Sequence, residues 1–453
     1  MRMVYWGPDS NNCPFFHRQA LAAGAIKTSQ FKEEIVVMWL NYAVIGLAIL
    51  ALLGVVLEEV IHVNKAKITL FLGALAWILL FAFNSGDPEH QEAVIQGLES
   101  NIAEIAGLWL FLLAAMTFVA YLNKKGMIEN LIYLFLPKRV SERKLLFLTG
   151  LFCFVFSSLA DNITATLVSV TLILSLRMDL AKTLRFAALV VFSVNSGGVA
   201  LITGDVTTLM IFLQDKVDIL DLLLLSIPSF VAVMFMATVL SFGLSGDVIV
   251  QQHRTDVRGV DIAIAGVFLA TILGTIVLNV IYQIPPVLTF LFGLATMFLV
   301  ARFFNDDIEN DPILEYIRVI EFETLLFFLG ILLLVGVLKE VHVLESLLAM
   351  YSQVSPLVAN YLMGLLSACI DNVPLTAALL KSGITMSKAE WMGLTYAVGV
   401  GGSLLVIGSA AGIVAMSKVR GLTFGSYAKY VPALLGAYSV GYAGVYLMAK
   451  YAM

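Results

Sequence analysis

The amino-acid sequence predicts an all-α polytopic membrane protein built from two inverted repeats. Each repeat is expected to contain five transmembrane helices and one re-entrant hairpin, with broken helices at the centre. Three observations predict this fold. Of the 453 residues, 60% are hydrophobic and 13% are charged, which excludes a soluble protein of ordinary composition. Uncharged apolar runs recur at the length that a helix needs to cross a bilayer. A ten-residue polar motif occurs twice, each time inside an apolar stretch.

Ten apolar runs are long enough to be spans, because a hydrocarbon core of about 30 Å requires about 20 residues of helix. The runs of the first half lie at 35–57, 67–84, 101–122, 184–213 and 222–245. Those of the second half lie at 261–282, 286–304, 322–340, 389–414 and 430–449. The sequence therefore divides into a polar N-terminal tail at 1–34, a first repeat at 35–245, a linker at 246–260 and a second repeat at 261–453.

One further apolar stretch lies between the third and fourth spans of each half, at about 145–178 and about 356–380. Each contains the motif S-x-x-x-D-N-[I/V]-x-x-T, at 157–166 and at 367–376. Divided at the motif, each arm of the first stretch has about 16 residues, or about 24 Å of helix, which is too short for a comfortable crossing. We therefore expect two re-entrant hairpins whose tips lie within the membrane.

The order of elements is the same in both halves, which indicates an internal repeat. Five crossings per half are an odd number, so the second half starts from the opposite side and the repeats are inverted. The positive-inside rule places most Lys and Arg residues in the cytoplasm, including Lys65 and Lys67, and the acidic loop at 85–100 outside. Both termini are then external, the linker is cytoplasmic, and the hairpins enter from opposite sides.

The fourth span of each half contains a glycine pair, at 197–198 and at 401–402. Another glycine follows in both halves, and the residue after it is Asp205 in the first half and Ser409 in the second. Paired glycines in the middle of a span favour a locally unwound helix. Such a break frees backbone carbonyl groups and presents helix ends to a central cavity.

The polar groups of the motifs and broken spans are the candidate site, because such groups are costly in a bilayer unless they bind an ion, a substrate or one another. A hard monovalent cation takes oxygen ligands, which the carboxylate, amide, hydroxyl and carbonyl groups of this set supply. The set contains no His or Cys ligand, which argues against a transition metal. The candidate ion- and proton-binding residues are Asp161, Asn162, Asp371, Asn372, Asp205, Ser157, Thr166, Ser367 and Thr376. A supporting path for ions or protons is assigned to Glu104, Glu323, Asn195, Ser196, Thr203, Ser403 and Ser409.

Because burial favours the neutral form of a carboxyl group, a proton and a cation can compete for one buried carboxylate. The sequence therefore predicts cation/proton exchange at a shared site.

Structural roles are the alternative for several of these residues. Asp161 and Asp371 could each be a buried carboxylate that a neighbouring amide holds, and Glu104 and Glu323 could stabilise a helix N-terminus. Hydrogen bonding between helices is the alternative for Ser157, Ser158, Thr166, Ser196 and Ser403.

The motifs resemble those of the NhaD family of sodium/proton antiporters, within an ion-transporter superfamily that also contains arsenite and dicarboxylate carriers. The similar segments lie at 57–61, 158–164, 195–198 with 203–205, 323–328 and 369–374. The duplicated Asp-Asn pair is the most specific of them. Related arsenite permeases carry similar pairs, so the motif indicates the superfamily more firmly than the substrate.

The resemblance implies a secondary transporter, not an enzyme, that expels cytoplasmic Na⁺, and also Li⁺, in exchange for external H⁺. It implies Na⁺ binding at Asp161, Asn162, Asp371 and Asn372, with no other cofactor. It further implies a homodimer in the inner membrane that works by alternating access of the elevator type. The formal net charge of −5 and the absence of a long basic tract give no reason to expect a nucleic acid as partner.

Two other functions are compatible with the sequence. One is a carrier of the same superfamily for arsenite or a carboxylate. Several carboxylates, with no Lys or Arg next to either motif tip in the sequence, argue against an anion. The other is a channel or a structural membrane scaffold, and duplicated hairpins favour a carrier over both.

Overall fold

The computed structural model describes residues 38–55, 57–84, 88–135, 137–250, 255–303 and 320–451. Most of these residues are helical. The polar tail predicted at 1–34 lies outside the described residues.

The first half of the chain forms ten helices within the described residues. They are α1 (Met38–Val55), α2 (Glu58–Ile61), α3 (Lys65–Asn84), α4 (Pro88–Lys124), α5 (Met127–Phe135), α6 (Glu142–Leu159), α7 (Asn162–Ser175), α8 (Leu180–Gly198), α9 (Val206–Leu213) and α10 (Ile219–Ser241). Two short strands, β1 (Arg139–Ser141) and β2 (Asp247–Ile249), pair antiparallel, with Val140 opposite Val248.

The second half also forms ten helices within the described residues. They are α11 (Gly259–Tyr282), α12 (Pro286–Phe303), α13 (Phe322–Glu340), α14 (Glu345–Gln353), α15 (Pro356–Ser367), α16 (Asn372–Lys381), α17 (Lys388–Gly401), α18 (Ala410–Lys418), α19 (Phe424–Ala428) and α20 (Val431–Tyr451).

Eight helices among the described residues are long and apolar enough to cross a membrane. They are α1, α3, α4, α10, α11, α12, α13 and α20. The two other predicted spans, 184–213 and 389–414, are each divided into two helices, α8 with α9 and α17 with α18. The prediction of a polytopic, almost entirely helical membrane protein is therefore confirmed.

The third predicted span differs from the prediction, because α4 begins at Pro88 and not near residue 101. The sequence of 88–100 is rich in Glu and Gln, which are good helix formers although they are polar. Glu104 consequently lies about four turns inside α4, where it cannot stabilise the helix N-terminus. Glu323, in contrast, lies in the first turn of α13.

Each interrupted fourth span packs closely against the turn of a neighbouring helix pair. Helix α6 packs against α8, and α15 packs against α17. A Cβ atom at Gly204 would lie 2.6 Å from the carbonyl oxygen of Ser157, and one at Gly408 would lie 2.5 Å from that of Ala368. Only glycine fits at these two positions without a backbone shift, so the backbone of each break lies directly against a motif turn.

The two halves also pack against each other through these short helices. Helix α9 of the first half contacts α16 of the second, and α18 of the second half contacts α7 of the first. Helix α13 packs against α3, α4 and α16. This arrangement brings both Asp-Asn turns and both helix breaks into one region of the protein.

Candidate functional site

Four helices begin at this region, and each begins with a capping side chain. The capping residues are Asp161 for α7, Asp205 for α9, Asp371 for α16 and Ser409 for α18. Their side chains accept hydrogen bonds from backbone amides of those helices at 2.9, 3.2, 3.1 and 3.4 Å, respectively. Asp and Ser are preferred caps, and the positive end of a helix dipole stabilises a carboxylate. The structure therefore places Asp205 and Ser409 at equivalent points of the two breaks.

Asp205 connects the two motifs. Its Oδ2 atom accepts hydrogen bonds from the side-chain amides of Asn162, at 3.0 Å, and Asn372, at 3.1 Å. All three side chains are buried. One carboxylate oxygen from the first helix break thus holds the Asn of both Asp-Asn turns.

The same groups line a cavity of about 60 Å³. Its polar lining comes mainly from the motif turns and helix breaks and consists of Asp161, Asn162, Thr203, Asp205, Asp371, Asn372 and Ser409, together with Thr324 and Lys65. Its apolar lining includes Leu112 and Met116 of α4 and Phe327 and Phe328 of α13. Pockets for drug-sized ligands usually enclose about 300–1,000 Å³, so this cavity suits an ion or a few water molecules better than a large organic substrate.

The Asp161 carboxylate is held by the first turn of its own helix. It accepts hydrogen bonds from the amide and the hydroxyl of Thr164, at 2.9 and 2.7 Å. These local bonds fix the direction of a carboxylate that lines the cavity, and they satisfy it in part without a cation.

The other motif residues hold the turns and do not line the cavity. The hydroxyls of Ser157 and Ser367 each lie 2.8 Å from a backbone carbonyl oxygen, in α8 and α17, respectively. Those of Thr166 and Thr376 each donate to the carbonyl oxygen four residues earlier, at 2.7 Å. The bonds of Ser157 and Ser367 join two helices, whereas those of Thr166 and Thr376 lie within one helix.

The residues assigned to a supporting path are divided by the structure. Thr203 and Ser409 line the cavity, and Asn195 donates from its side-chain amide to the Ser409 hydroxyl at 3.0 Å. Ser196 is buried next to Asn195, and Ser403 donates to a backbone carbonyl at 2.6 Å. Neither of these two serines lines the cavity.

The two glutamates of the predicted path are not among the residues that line the cavity. Glu104 forms an ion pair with Lys381, with 3.1 Å between Oε2 and Nζ, beside a separate cavity of about 220 Å³. Glu323 is exposed and accepts a hydrogen bond from the side chain of Asn64. Glu323 thus lies next to the lining residue Thr324 without lining the cavity itself, and Glu104 lines a different cavity.

Lys65 is a site residue that the sequence does not predict. The charge distribution predicts a cytoplasmic loop position for Lys65, and no Lys or Arg is next to either motif tip in the sequence. The structure places Lys65 at the start of α3, lining the cavity, with Nζ 3.6 Å from Asp371 Oδ2. The expectation of a site without a basic residue is wrong, because residues distant in sequence meet there, and no local pattern marks this lysine.

The lining nevertheless contains three carboxyl groups and one ammonium group, so acidic groups predominate. Within the described ranges, no cluster of three or more His, Cys, Asp or Glu side chains is arranged to hold a metal ion. A cation in this cavity would therefore need amide, hydroxyl or backbone carbonyl oxygens besides carboxylates, as a monovalent hard cation accepts.

The CitMHS family model, described as "Citrate transporter", matches residues 35–401. The Na⁺/H⁺ antiporter NhaD of Vibrio parahaemolyticus is 30% identical over 413 residues, which cover 84% of this chain and 98% of the relative. The chain is an NhaD-type member of the CitMHS family.

Further NhaD-type relatives agree with this assignment. The NhaD of Vibrio cholerae serotype O1 is 30% identical over 436 residues, covering 88% of this chain and 90% of the relative. Sodium/proton antiporter 1 of Arabidopsis thaliana is 27% identical over 437 residues, which cover 85% of this chain and 71% of the relative. These relatives are named as transporters and not as enzymes. The resemblance to the NhaD family that the motifs indicate is confirmed by the two relatives named NhaD.

Proposed function

We propose that this NhaD-type chain exchanges Na⁺ for H⁺ at the cavity between its two Asp-Asn turns. The observation that supports this most is the convergence of Asn162 and Asn372 on Asp205, with Asp161 and Asp371 lining the same cavity. The relatives of the chain that are named Na⁺/H⁺ antiporters support the same substrates.

The proposed exchange uses one set of carboxylates for both ions. Na⁺ takes oxygen ligands from Asp161, Asp371, Asp205 and the carbonyl groups of the helix breaks. A proton on the same carboxylates removes the charge that attracts Na⁺, so the two ions bind alternately. The Asn side chains orient Asp205 between the two turns.

A carrier for arsenite or a carboxylate remains the alternative, and two observations favour it. The family model is described as a citrate transporter, and Lys65 lines the cavity. Against an anion stand three carboxyl groups, which repel it, and a cavity of about 60 Å³, which is small for citrate. The balance of charge and size favours the cation.

The proposal includes the finer arrangement expected from the sequence. The helices on either side of each motif turn form re-entrant hairpins, and the two halves are inverted repeats. Helix α7 has 14 residues and α16 has 10, so these arms extend about 21 and about 15 Å, less than a hydrocarbon core of about 30 Å. The equivalent order of helices in the two halves supports the repeat.

We further propose that Na⁺, and Li⁺ as a substitute, leave the cytoplasm while external H⁺ enters, by alternating access of the elevator type. The protein is placed in the inner membrane as a homodimer with both termini external. These points rest on the family resemblance and on the distribution of Lys and Arg, which favours a cytoplasmic 123–144 segment.

The test uses inside-out membrane vesicles that contain a pH-sensitive dye. Addition of Na⁺ or Li⁺ should dissipate a preset pH gradient in a saturable way, whereas K⁺, arsenite and citrate should not. Asp161→Asn and Asp371→Asn should each abolish the response at normal membrane levels, because the cation loses a charged ligand. Asp179→Asn, at an exposed carboxylate, is the matched control and should respond like the unaltered chain.

Full exchange by the double Asp161→Asn, Asp371→Asn variant would refute the proposed site. A response to citrate or arsenite without one to Na⁺ would instead establish the alternative carrier. A response that does not saturate would indicate a channel.

A further inference from the structure

We propose that Lys65 is a tethered cation that competes with the transported cation for Asp371. The inference rests on the proposed function and deepens it. The Lys65 ammonium lies 3.6 Å from Asp371 Oδ2, inside the cavity that both side chains line. The Asp371 side chain is 5% exposed and that of Lys65 is 17% exposed, so water screens the pair only partly.

The surroundings of Lys65 allow it to move away from Asp371 without losing every partner. Its Nζ atom lies 4.5 Å from the centre of the Phe327 ring, a cation–π distance. Its charge also interacts with the carboxylate of Glu321 next to α13. Glu58 accepts a hydrogen bond from the Lys65 backbone amide at 3.1 Å, which fixes the start of α3. The ammonium is thus attached to a fixed backbone but has alternative electrostatic partners.

Lys65 and Asp371 belong to different structural elements. Lys65 begins α3, which packs against α13, whereas Asp371 caps α16 in the second motif turn. The pair therefore crosses the contact between the Asp-Asn turns and the surrounding helices. It does not contribute to the internal structure of either helix.

A cation that enters the cavity must replace Lys65 at Asp371, or bind there against its repulsion. Either way, part of the attraction between the incoming cation and the carboxylate is offset, and the apparent affinity for that cation falls. The same competition assists release, because the ammonium returns to the carboxylate when the cation leaves. Lys65 consequently sets the affinity of the exchanger without being a ligand of the cation.

The test measures exchange at a series of Na⁺ concentrations in inside-out vesicles, for the unaltered chain and for Lys65→Met, Lys65→Gln, Lys65→Arg and Lys67→Met. Removal of the charge in Lys65→Met and Lys65→Gln should lower the half-maximal Na⁺ concentration about fivefold, which corresponds to about 1 kcal/mol. Lys65→Arg keeps the charge and should stay close to the unaltered value. Lys67 is exposed on the same helix, so Lys67→Met is the matched control and should also be unchanged.

The outcomes separate this inference from the proposed function. Absence of Na⁺-dependent exchange in the unaltered chain would refute the proposed function, and this inference with it. Normal exchange with an unchanged half-maximal Na⁺ concentration in Lys65→Met and Lys65→Gln would refute the competition alone. Loss of exchange in both neutral variants, at normal membrane levels, would also refute it, because the ammonium would then be required. An equal shift in Lys65→Arg would show that packing and not charge is responsible.

Discussion

Replacement of Asp205 by Asn should abolish exchange, because this carboxylate lies between the two Asp-Asn turns. The substitution keeps the size of the side chain but removes the charge from the oxygen that accepts from Asn162 and Asn372. A unit positive charge about 4 Å from a carboxylate is attracted by about 4 kcal/mol at an effective dielectric constant of about 20. Since about 1.4 kcal/mol corresponds to a factor of ten, the cation should bind about 1,000-fold more weakly.

The substitution should also lower stability. The side chain of the new Asn has one oxygen that accepts hydrogen bonds, whereas the Asp205 carboxylate has two. One or two of the hydrogen bonds that the carboxylate accepts are therefore lost. Hydrogen bonds to charged groups contribute about 1.5–3 kcal/mol each. The thermal midpoint of the purified variant should therefore fall measurably, although the apolar spans and their packing are unchanged.

The assay is Na⁺-driven proton movement in liposomes that contain the purified protein and a pH-sensitive dye. Asp205→Asn should show no saturation in the range where the unaltered chain saturates. The matched control is Asp218→Asn, which changes the same group at the start of α10, where the side chain is 70% exposed and paired with Lys388. If Asp205→Asn exchanged Na⁺ at the unaltered half-maximal concentration, the reasoning about the central carboxylate would be refuted.

Two further predictions concern a close glycine contact and a buried ion pair. Gly198→Ala should reduce the maximal exchange rate at least tenfold in the same liposomes. The added Cβ atom would lie 2.7 Å from the amide oxygen of Asn162, and such overpacking costs about 1–3 kcal/mol. An unchanged rate would contradict this prediction. Glu142→Ala should destabilise the protein by about 2 kcal/mol in thermal unfolding, since the buried carboxylate accepts from Lys182 at 2.6 Å. Asp247→Ala removes an exposed pair and should cost less than about 1 kcal/mol.

The parts of the fold that the sequence predicted are those with a local signal. The apolar runs predict the long helices, and the glycine pairs predict the two breaks. The Asp-Asn motif predicts helix ends because Asp is a strong N-cap, and the structure indeed begins α7 and α16 after Asp161 and Asp371. The sequence predicts the start of α4 too late, because the polar stretch at 88–100 resembles a loop although its Glu and Gln residues also favour helix.

The parts of the site that the sequence did not predict depend on tertiary contacts. Asn372 lies 167 residues from Asp205, and no local pattern indicates that their side chains meet. Lys65 is likewise far from Asp371 in sequence, and the charge distribution predicts only a loop position for it at the end of a span. From the sequence, the hydroxyls of Ser157 and Thr166 could equally bind an ion or a backbone carbonyl. In the structure, Thr166 donates to a backbone carbonyl, and the Ser157 hydroxyl lies 2.8 Å from both a backbone carbonyl oxygen and the amide oxygen of Asn162.

The residue that follows the last glycine of each break differs between the two halves. It is Asp205 in the first break and Ser409 in the second. Replacing Ser409 by Asp would add a second acid at the helix breaks, and replacing Asp205 by Ser would leave neither break with one. The natural sequence has one acid at the two breaks. The three carboxyl groups of the cavity are therefore divided unequally, with two from the first half of the chain and one from the second.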